Sequence, residues 1–224
     1  MIDDATRWNL THKKIYQEGE WYSKYAEEKE KLFPPGSTVV DLGGGTGADA
    51  IYFLKRGHTV VILDISEFAL KVAQEKANKL NLSEKLAVRQ VDFGLHALPL
   101  KDASIDVAYS RISLNYFPTD QTVVIFKDIY RILKTGGKAY ITLKSPDDEA
   151  EMEYLLKSGV EYEPNVYIEN GQLRSRFNVD QLKNILQQAG ITQLEVNPYQ
   201  EPLAPKGEGH HPVLLVNEIT FTKF

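Results

Sequence analysis

The sequence predicts an α/β protein built on a doubly wound, largely parallel sheet. From Thr38 onward, short apolar runs alternate with segments of helical period, the alternation that successive βα units produce. The first run, Val39-Val40-Asp41-Leu42, passes straight into Gly43-Gly44-Gly45-Thr46-Gly47, a strand-to-helix turn rich in glycine. Runs further along end on Asp64, Asp92 and Ser110, so polar groups collect at the carboxyl ends of the strands, where open α/β sheets bind ligands.

The elements follow in order. Pro34-Pro35-Gly36 makes a turn, and Thr38–Leu42 is the first strand. A helix over Ala48–Lys55 closes at Gly57. Thr59–Leu63 is the second strand, and Ser66 caps a helix running to about Leu80. Leu86–Val91 and Ile105–Tyr109 are the third and fourth strands. A helix over Gln121–Leu133 stops at Gly136-Gly137, and Lys138–Leu143 is the fifth strand. Asp147–Lys157 reads as a short acidic helix. Val166–Phe177 reads as a hairpin turning on Asn170-Gly171, the strongest two-residue hairpin signal. Asp180–Ala189 places Leu182, Ile185 and Leu186 on one face and stops at Gly190. Ile191–Val196 and Val213–Phe224 are expected to pair antiparallel at the sheet edge. The start of the chain, Trp8–Lys31, is helical in propensity and rich in Trp and Tyr, and is expected to cap the sheet.

Composition narrows the classes of function. The chain has 224 residues, 42% hydrophobic and 25% charged, enough for one α/β domain with a full core, or one such domain with a small lid. It has no cysteine, which removes disulfides, thiolate metal sites and cysteine nucleophiles together. A formal net charge of -5 argues against nucleic acid as the main partner. No stretch has the roughly 20 apolar residues of a membrane span, and Met1–Leu10 does not read as a signal peptide, so a cytoplasmic location is expected; a monomer or homodimer is the expected state.

The chemistry begins at the glycines. Glycine permits close backbone approach and positive φ, and the following helix offers unpaired N–H groups to a polar or anionic ligand. A bare βα turn needs fewer glycines than Gly43, Gly45 and Gly47 supply. Gly43-x-Gly45-x-x-Ala48 also fits a dinucleotide fingerprint, which keeps a nicotinamide-dependent oxidoreductase open. Asp64 is placed to hold a ribose diol with two acceptor oxygens. Asp92 is placed to accept from an adenine amino group, with the Phe93 ring packing on the base. Each acid taken singly also serves as a turn or N-cap residue. Their joint position at successive strand ends points to a nucleoside ligand.

These residues resemble a known family. Val39–Gly47 resembles the first motif of class I S-adenosylmethionine-dependent methyltransferases; Asp64 matches the family's ribose-binding acid and Asp92-Phe93 its adenine pair. Leu133-Lys134-Thr135-Gly136-Gly137-Lys138 is similar to the family's turn before the fifth strand, with Thr135 where a proline is usual. The resemblance implies a Rossmann-like sheet of seven strands in order 3-2-1-4-5-7-6 with the last strand antiparallel. It implies S-adenosylmethionine as cofactor, S-adenosylhomocysteine as product, and a small-molecule acceptor. Cofactor contacts would come from Asp41, Gly43, Gly45, Gly47, Asp64 with Ile65 beside it, Asp92, Phe93 and Ser110. The chain is read as a single domain made of a cap (1–33), a cofactor core (34–145), a lid insertion (146–177) that departs from the resemblance, and the last helix and edge strands (178–224).

The C-terminal third is similar to the tellurite-resistance branch of small-molecule methyltransferases, through Glu201, Gly209-His210-His211 and Thr220–Lys223. In that branch a serine after the fourth strand and a basic pair before the last lie near the substrate. Ser110 and His210-His211 match them, which makes Ser110, Arg111, His210 and His211 the candidate catalytic residues. Histidine titrates near neutral pH and suits a general base, although Gly207, Gly209 and Pro212 also mark a solvated loop. Ser110, Arg111, Asn115 and Tyr116 are expected to face the transferring methyl, with Arg111 able to clamp an acidic acceptor. Arg174 and Arg176 share a face of the hairpin, to bind an anion or to blunt an edge. Trp8, Tyr16, Trp21, Tyr22 and Tyr25 form either an aromatic gate or plain packing. Ser110-Arg111-Ile112-Ser113 replaces the Asn/Asp-Pro-Pro-Tyr motif of enzymes that methylate amino groups of DNA bases, and no acidic cluster suggests a metal. A non-catalytic cofactor-binding module, and an enzyme using the cofactor for another reaction, complete the alternatives.

Overall fold

A computed structural model of the chain describes residues 3–16, 22–203 and 213–224. Ten strands and seven α-helices appear among them: β1 Thr38–Leu42, β2 Thr59–Asp64, β3 Leu86–Gln90, β4 Ile105–Arg111, β5 Leu133–Lys144, β6 Val160–Glu163, β7 Val166–Glu169, β8 Gln172–Ser175, β9 Leu194–Pro202 and β10 Val213–Thr222, with α1 Asp4–Ile15, α2 Lys24–Glu30, α3 Ala48–Lys55, α4 Glu67–Lys79, α5 Thr119–Ile132, α6 Glu149–Ser158 and α7 Val179–Gln188. Seven strands form one sheet in the order β3-β2-β1-β4-β5-β10-β9. With the three strands of the insertion set aside, that is the expected order. β1 to β5 pair in parallel, and β10 runs antiparallel to β5 and to β9, with Ile219 opposite Ile141 on one side and Val196 on the other.

Strand alternation divides the core. Val40, Leu42, Val61, Leu63 and Ala108 face α5 and α7, where Phe126, Ile129, Leu182 and Ile185 complete one buried cluster. Val39, Val60, Ile62, Val107 and Tyr109 face the other way, against α2, α3 and α4. Helices therefore cover both faces, and the polar ends of the strands are left to form the site.

Several elements differ from expectation. The cap is two helices, because Ser23 starts α2 by accepting from the Ala26 N–H. β4 continues two residues to Arg111 and so carries both Ser110 and Arg111 within the strand. β9 runs on to Pro202 through Pro198; β9 is the sheet's edge, where a missing N–H costs no ladder bond. The hairpin turns on Asn170 and Gly171, both at positive φ, as a type I′ turn requires. β6, which the sequence does not announce, adds a third strand to it. Among the described residues no helix is long and apolar enough to cross a membrane.

Candidate cofactor-binding site

The carboxyl ends of β1 and β4 open onto a cavity of about 710 Å3, lined by Asp41, the glycine turn, Asp49 and Arg111, and by His12 and Tyr22 from the cap. The glycine turn is tied down from both sides. The Gly43 N–H donates to the Leu63 carbonyl at 2.7 Å. The Gly45 N–H donates to Asp64 Oδ2 and the Ser66 N–H to Asp64 Oδ1, each at 2.8 Å. Asp64 is buried, and burial pushes its carboxyl above the usual range while those two N–H groups and His12 pull it back. Each carboxylate oxygen still has a lone pair for a further donor such as a ribose hydroxyl.

Asp41 is 2% exposed, and its Oδ2 has no hydrogen-bond partner. Burial, and the Asp49 and Asp64 carboxylates nearby, push it well above the usual aspartate range. A buried acid without a partner is costly unless a cation meets it. Asp41 lines the cavity, with its Oδ2 packed against Gly44 in the glycine turn. Asp49, in the first turn of α3, is the acid that sequence reasoning missed. It accepts from the Ser23 N–H (2.6 Å), the Ser23 hydroxyl (2.9 Å) and the Tyr109 hydroxyl (2.7 Å), so it ties α2 to β4 at the cavity wall. From sequence it reads only as an acid at a helix N-terminus.

Ser110 and Arg111 separate on folding. Alternate residues of a strand point to opposite faces. Ser110 is fully buried, with its hydroxyl on the Leu42 carbonyl (3.0 Å) and on Ser113 Oγ (2.6 Å), and it does not line the cavity. The expectation that its side chain faces the transferring methyl is corrected by that alternation. Arg111 does reach the cavity, and its Nε donates to both oxygens of buried Glu201 at 2.8 and 2.9 Å. Burial raises the Glu201 carboxyl and Arg111 lowers it. The chain then reverses at Ile112, which sits at φ +47°, an unfavourable conformation for a β-branched residue. Its N–H donates to the Thr142 carbonyl at 2.9 Å, and its carbonyl accepts from Asn115 Nδ2 at 2.6 Å. The turn seats Ser113 against Gly43, where a Cβ would lie 2.3 Å from Ser113 Cβ.

The remaining candidates fall elsewhere. Asp92 accepts from the Gly94 N–H at 2.8 Å and Phe93 packs against the core; both stand along the sheet edge outside the cavity lining, as does Ile65. Gly47, at φ +77°, starts α3. The aromatic residues of the cap divide. Tyr22 stacks on Tyr52 at 4.2 Å and lines the cavity, Trp8 meets Tyr116 edge-on at 4.9 Å, and Tyr25 is core. Arg174 and Arg176 both turn to the body and neither lines the cavity. Arg174 lies over the Tyr116 ring at 5.2 Å, and buried Arg176 pairs with Glu151 at 2.5 Å. His210, His211 and Trp21 lie outside the described residues. Among the described residues no group of His, Asp and Glu is arranged to hold a metal ion.

The chain is similar to known proteins in sequence and in fold. A family model described as a methyltransferase domain matches residues 39–137, from β1 to the turn in β5. The chain is 32% identical over 176 residues to an arsenite methyltransferase of Halobacterium salinarum, covering 75% of this chain and 40% of that protein, so it spans less than half of its relative's length. Two solved structures share the fold. A SAM-dependent methyltransferase of Methanosarcina mazei superposes with a TM-score of 0.70 at 18% identity, over 86% of this chain and 95% of that one. The 1,6-didemethyltoxoflavin-N1-methyltransferase of Burkholderia thailandensis, solved with 1,6-didemethyltoxoflavin and S-adenosylhomocysteine, superposes with a TM-score of 0.67 at 18% identity, over 98% and 85%. The chain belongs to the class I S-adenosylmethionine-dependent methyltransferases, with S-adenosylmethionine as its cofactor.

Proposed function

We propose that the protein transfers a methyl group from S-adenosylmethionine to a small-molecule acceptor. The observation that carries this reading is the buried Asp41 carboxyl beside the glycine turn, whose Oδ2 has no hydrogen-bond partner, a position that calls for a cation. When bound, the cofactor supplies an electrophilic methyl on a sulfonium. The chain's own residues hold and orient. Asp41 receives the ammonium, Asp64 the ribose diol, and Asp92 with Phe93 the adenine. Asp49 keeps α2 and Tyr109 against the cavity. Ser110, with Ser113, acts as a positioning residue by clamping the Leu42 carbonyl under the glycine turn. Arg111, steadied by Glu201, lines the cavity beyond the glycines and is the group suited to orient an acceptor. His210 and His211 serve as a general base where the acceptor arrives protonated. Residues 146–177 pack on the segment that follows β4, through Glu163 on Thr119 and Ser175 on Asn115, and serve as a lid toward the acceptor.

Two features restrict the acceptor. The toxoflavin relative acts on a small heterocycle, and the acidic balance here disfavours nucleic acid. Arsenite itself is disfavoured, because a thiophilic ion calls for thiolate ligands and the chain has no cysteine. Calorimetric titration with S-adenosylmethionine, S-adenosylhomocysteine and NAD in parallel tests the cofactor reading. Binding of the first two without NAD is expected; binding of NAD alone would overturn it. Formation of a methylated product in an acceptor screen then separates an enzyme from a cofactor-binding module.

A further inference from the structure

Helix α1 lies across the cofactor site as a strap. It is anchored on either side of the glycine turn. On one side Asn9 Oδ1 accepts from the Ser66 hydroxyl at 2.8 Å and from the Phe68 N–H at 3.0 Å, at the start of α4 and just past Asp64. On the other side Trp8 meets Tyr116, in the segment that follows β4. Between these anchors His12 reaches down to the turn. A Cβ on Gly45 would lie 3.0 Å from its Cε1, and the imidazole is among the groups that lower the Asp64 carboxyl against its burial. His12 lines the same cavity as Asp41 and Arg111.

Plain packing explains His12 poorly. No side chain of α1 is buried, so the helix adds little to the core and its position must be held by these few polar and aromatic contacts. Yet the one imidazole it carries inward stands over the two residues, Gly45 and Asp64, that frame the nucleoside end of the site.

We propose that His12 is a cofactor-positioning residue: α1 seats its imidazole on the nucleoside end of bound S-adenosylmethionine, between Gly45 and Asp64, and the cofactor in turn fixes α1 in its closed place. The inference rests on the cofactor reading above. Linkage makes the effect reciprocal, so whatever α1 contributes to cofactor affinity the cofactor returns as order in α1.

The test is S-adenosylhomocysteine titration of wild type, His12→Ala and Asn9→Ala by calorimetry, with amide hydrogen exchange over residues 4–15 in the presence and absence of the ligand. Because no residue of α1 is fully buried, His12→Ala is expected to melt with wild type when unliganded, and Asn9→Ala, which gives up two hydrogen bonds at the start of α4, to melt slightly lower. His12→Ala is expected to bind about tenfold more weakly, the scale of one net hydrogen bond. Asn9→Ala, which loosens the strap without touching the cavity, is expected to lose affinity in the same direction. Exchange over residues 4–15 is expected to slow on ligand addition in wild type and to slow less in His12→Ala. Unchanged affinity in His12→Ala overturns the proposal, and so does a wild type that binds the ligand without protecting residues 4–15. Failure of wild type to bind at all overturns the cofactor reading and this inference with it.

Discussion

Replacing Gly43 with alanine tests the account of the site at its tightest point. Gly43 sits at φ +68°, and an added Cβ would lie 2.3 Å from Ser113 Cβ and 2.6 Å from Ser113 Oγ. Ser113 cannot easily retreat. Its hydroxyl is held by the Leu42 carbonyl at 2.6 Å and by Ser110 at 2.6 Å, and the Ile112 reversal fixes its backbone. Two costs add. A left-handed alanine costs about 1–2 kcal/mol. Forcing a methyl into a filled site costs about 1–3 kcal/mol more. Gly36 supplies the control, because it shares the backbone conformation at φ +71° and has no atom within 4 Å of its Cβ position. Gly36→Ala should therefore carry only the first cost. Chemical unfolding of both variants, read by linear extrapolation, should show Gly43→Ala the less stable by about 1–3 kcal/mol. Adding Ser113→Gly should recover part of that difference, a coupling that a double-mutant cycle isolates. Equal losses in the two alanine variants, with no coupling to Ser113, would refute the packing argument.

Three further outcomes follow from the site. Asp64→Ala removes the acceptor of two loop N–H groups as well as the ribose acid, and should weaken S-adenosylhomocysteine binding by about 1–3 kcal/mol in calorimetry; unchanged affinity in a folded variant rules Asp64 out as the ribose acid. Asp41→Asn should stabilise the unliganded protein at neutral pH by about 1–3 kcal/mol while weakening the ligand. The Asp41 carboxyl is raised on folding, so its favourable contribution is present below the ordinary aspartate range and is lost as pH rises through the folded value; the gain from asparagine, measured by thermal unfolding against pH, should therefore vanish in acid. Arg111→Gln strands buried Glu201 and should cost about 2–4 kcal/mol at pH 7, with the loss shrinking as Glu201 takes a proton at lower pH; a loss that grows on acidification would show that the pair is not what holds β9 to β4.

Much of the fold was legible because its signals are local. Apolar alternation marks β1 and β2 whatever they pair with. Asn170-Gly171 dictates its turn from two residues, and Gly43, Gly45 and Gly47 announce a turn that needs positive φ. Asp64 is legible for the same reason, since the end of a strand and the cap of the next helix lie within three residues of it. The opposite orientation of Ser110 and Arg111 was open to the same reading, because alternation extended by two residues sends them to opposite faces.

The sequence by itself determined the element types, the order of βα units and the presence of acids at the strand ends, because propensity, periodicity and turn chemistry act over a few neighbouring residues. Only the tertiary structure decided which of those acids is satisfied and which is left waiting. Asp49 meets Ser23 and Tyr109 across separations of 26 and 60 residues, Arg111 meets Glu201 across 90, and His12 comes to rest on Gly45. Such pairings carry no local signature, since a charged or polar side chain in an unfolded chain is equally well solvated by water, and its partner is chosen when burial removes that alternative.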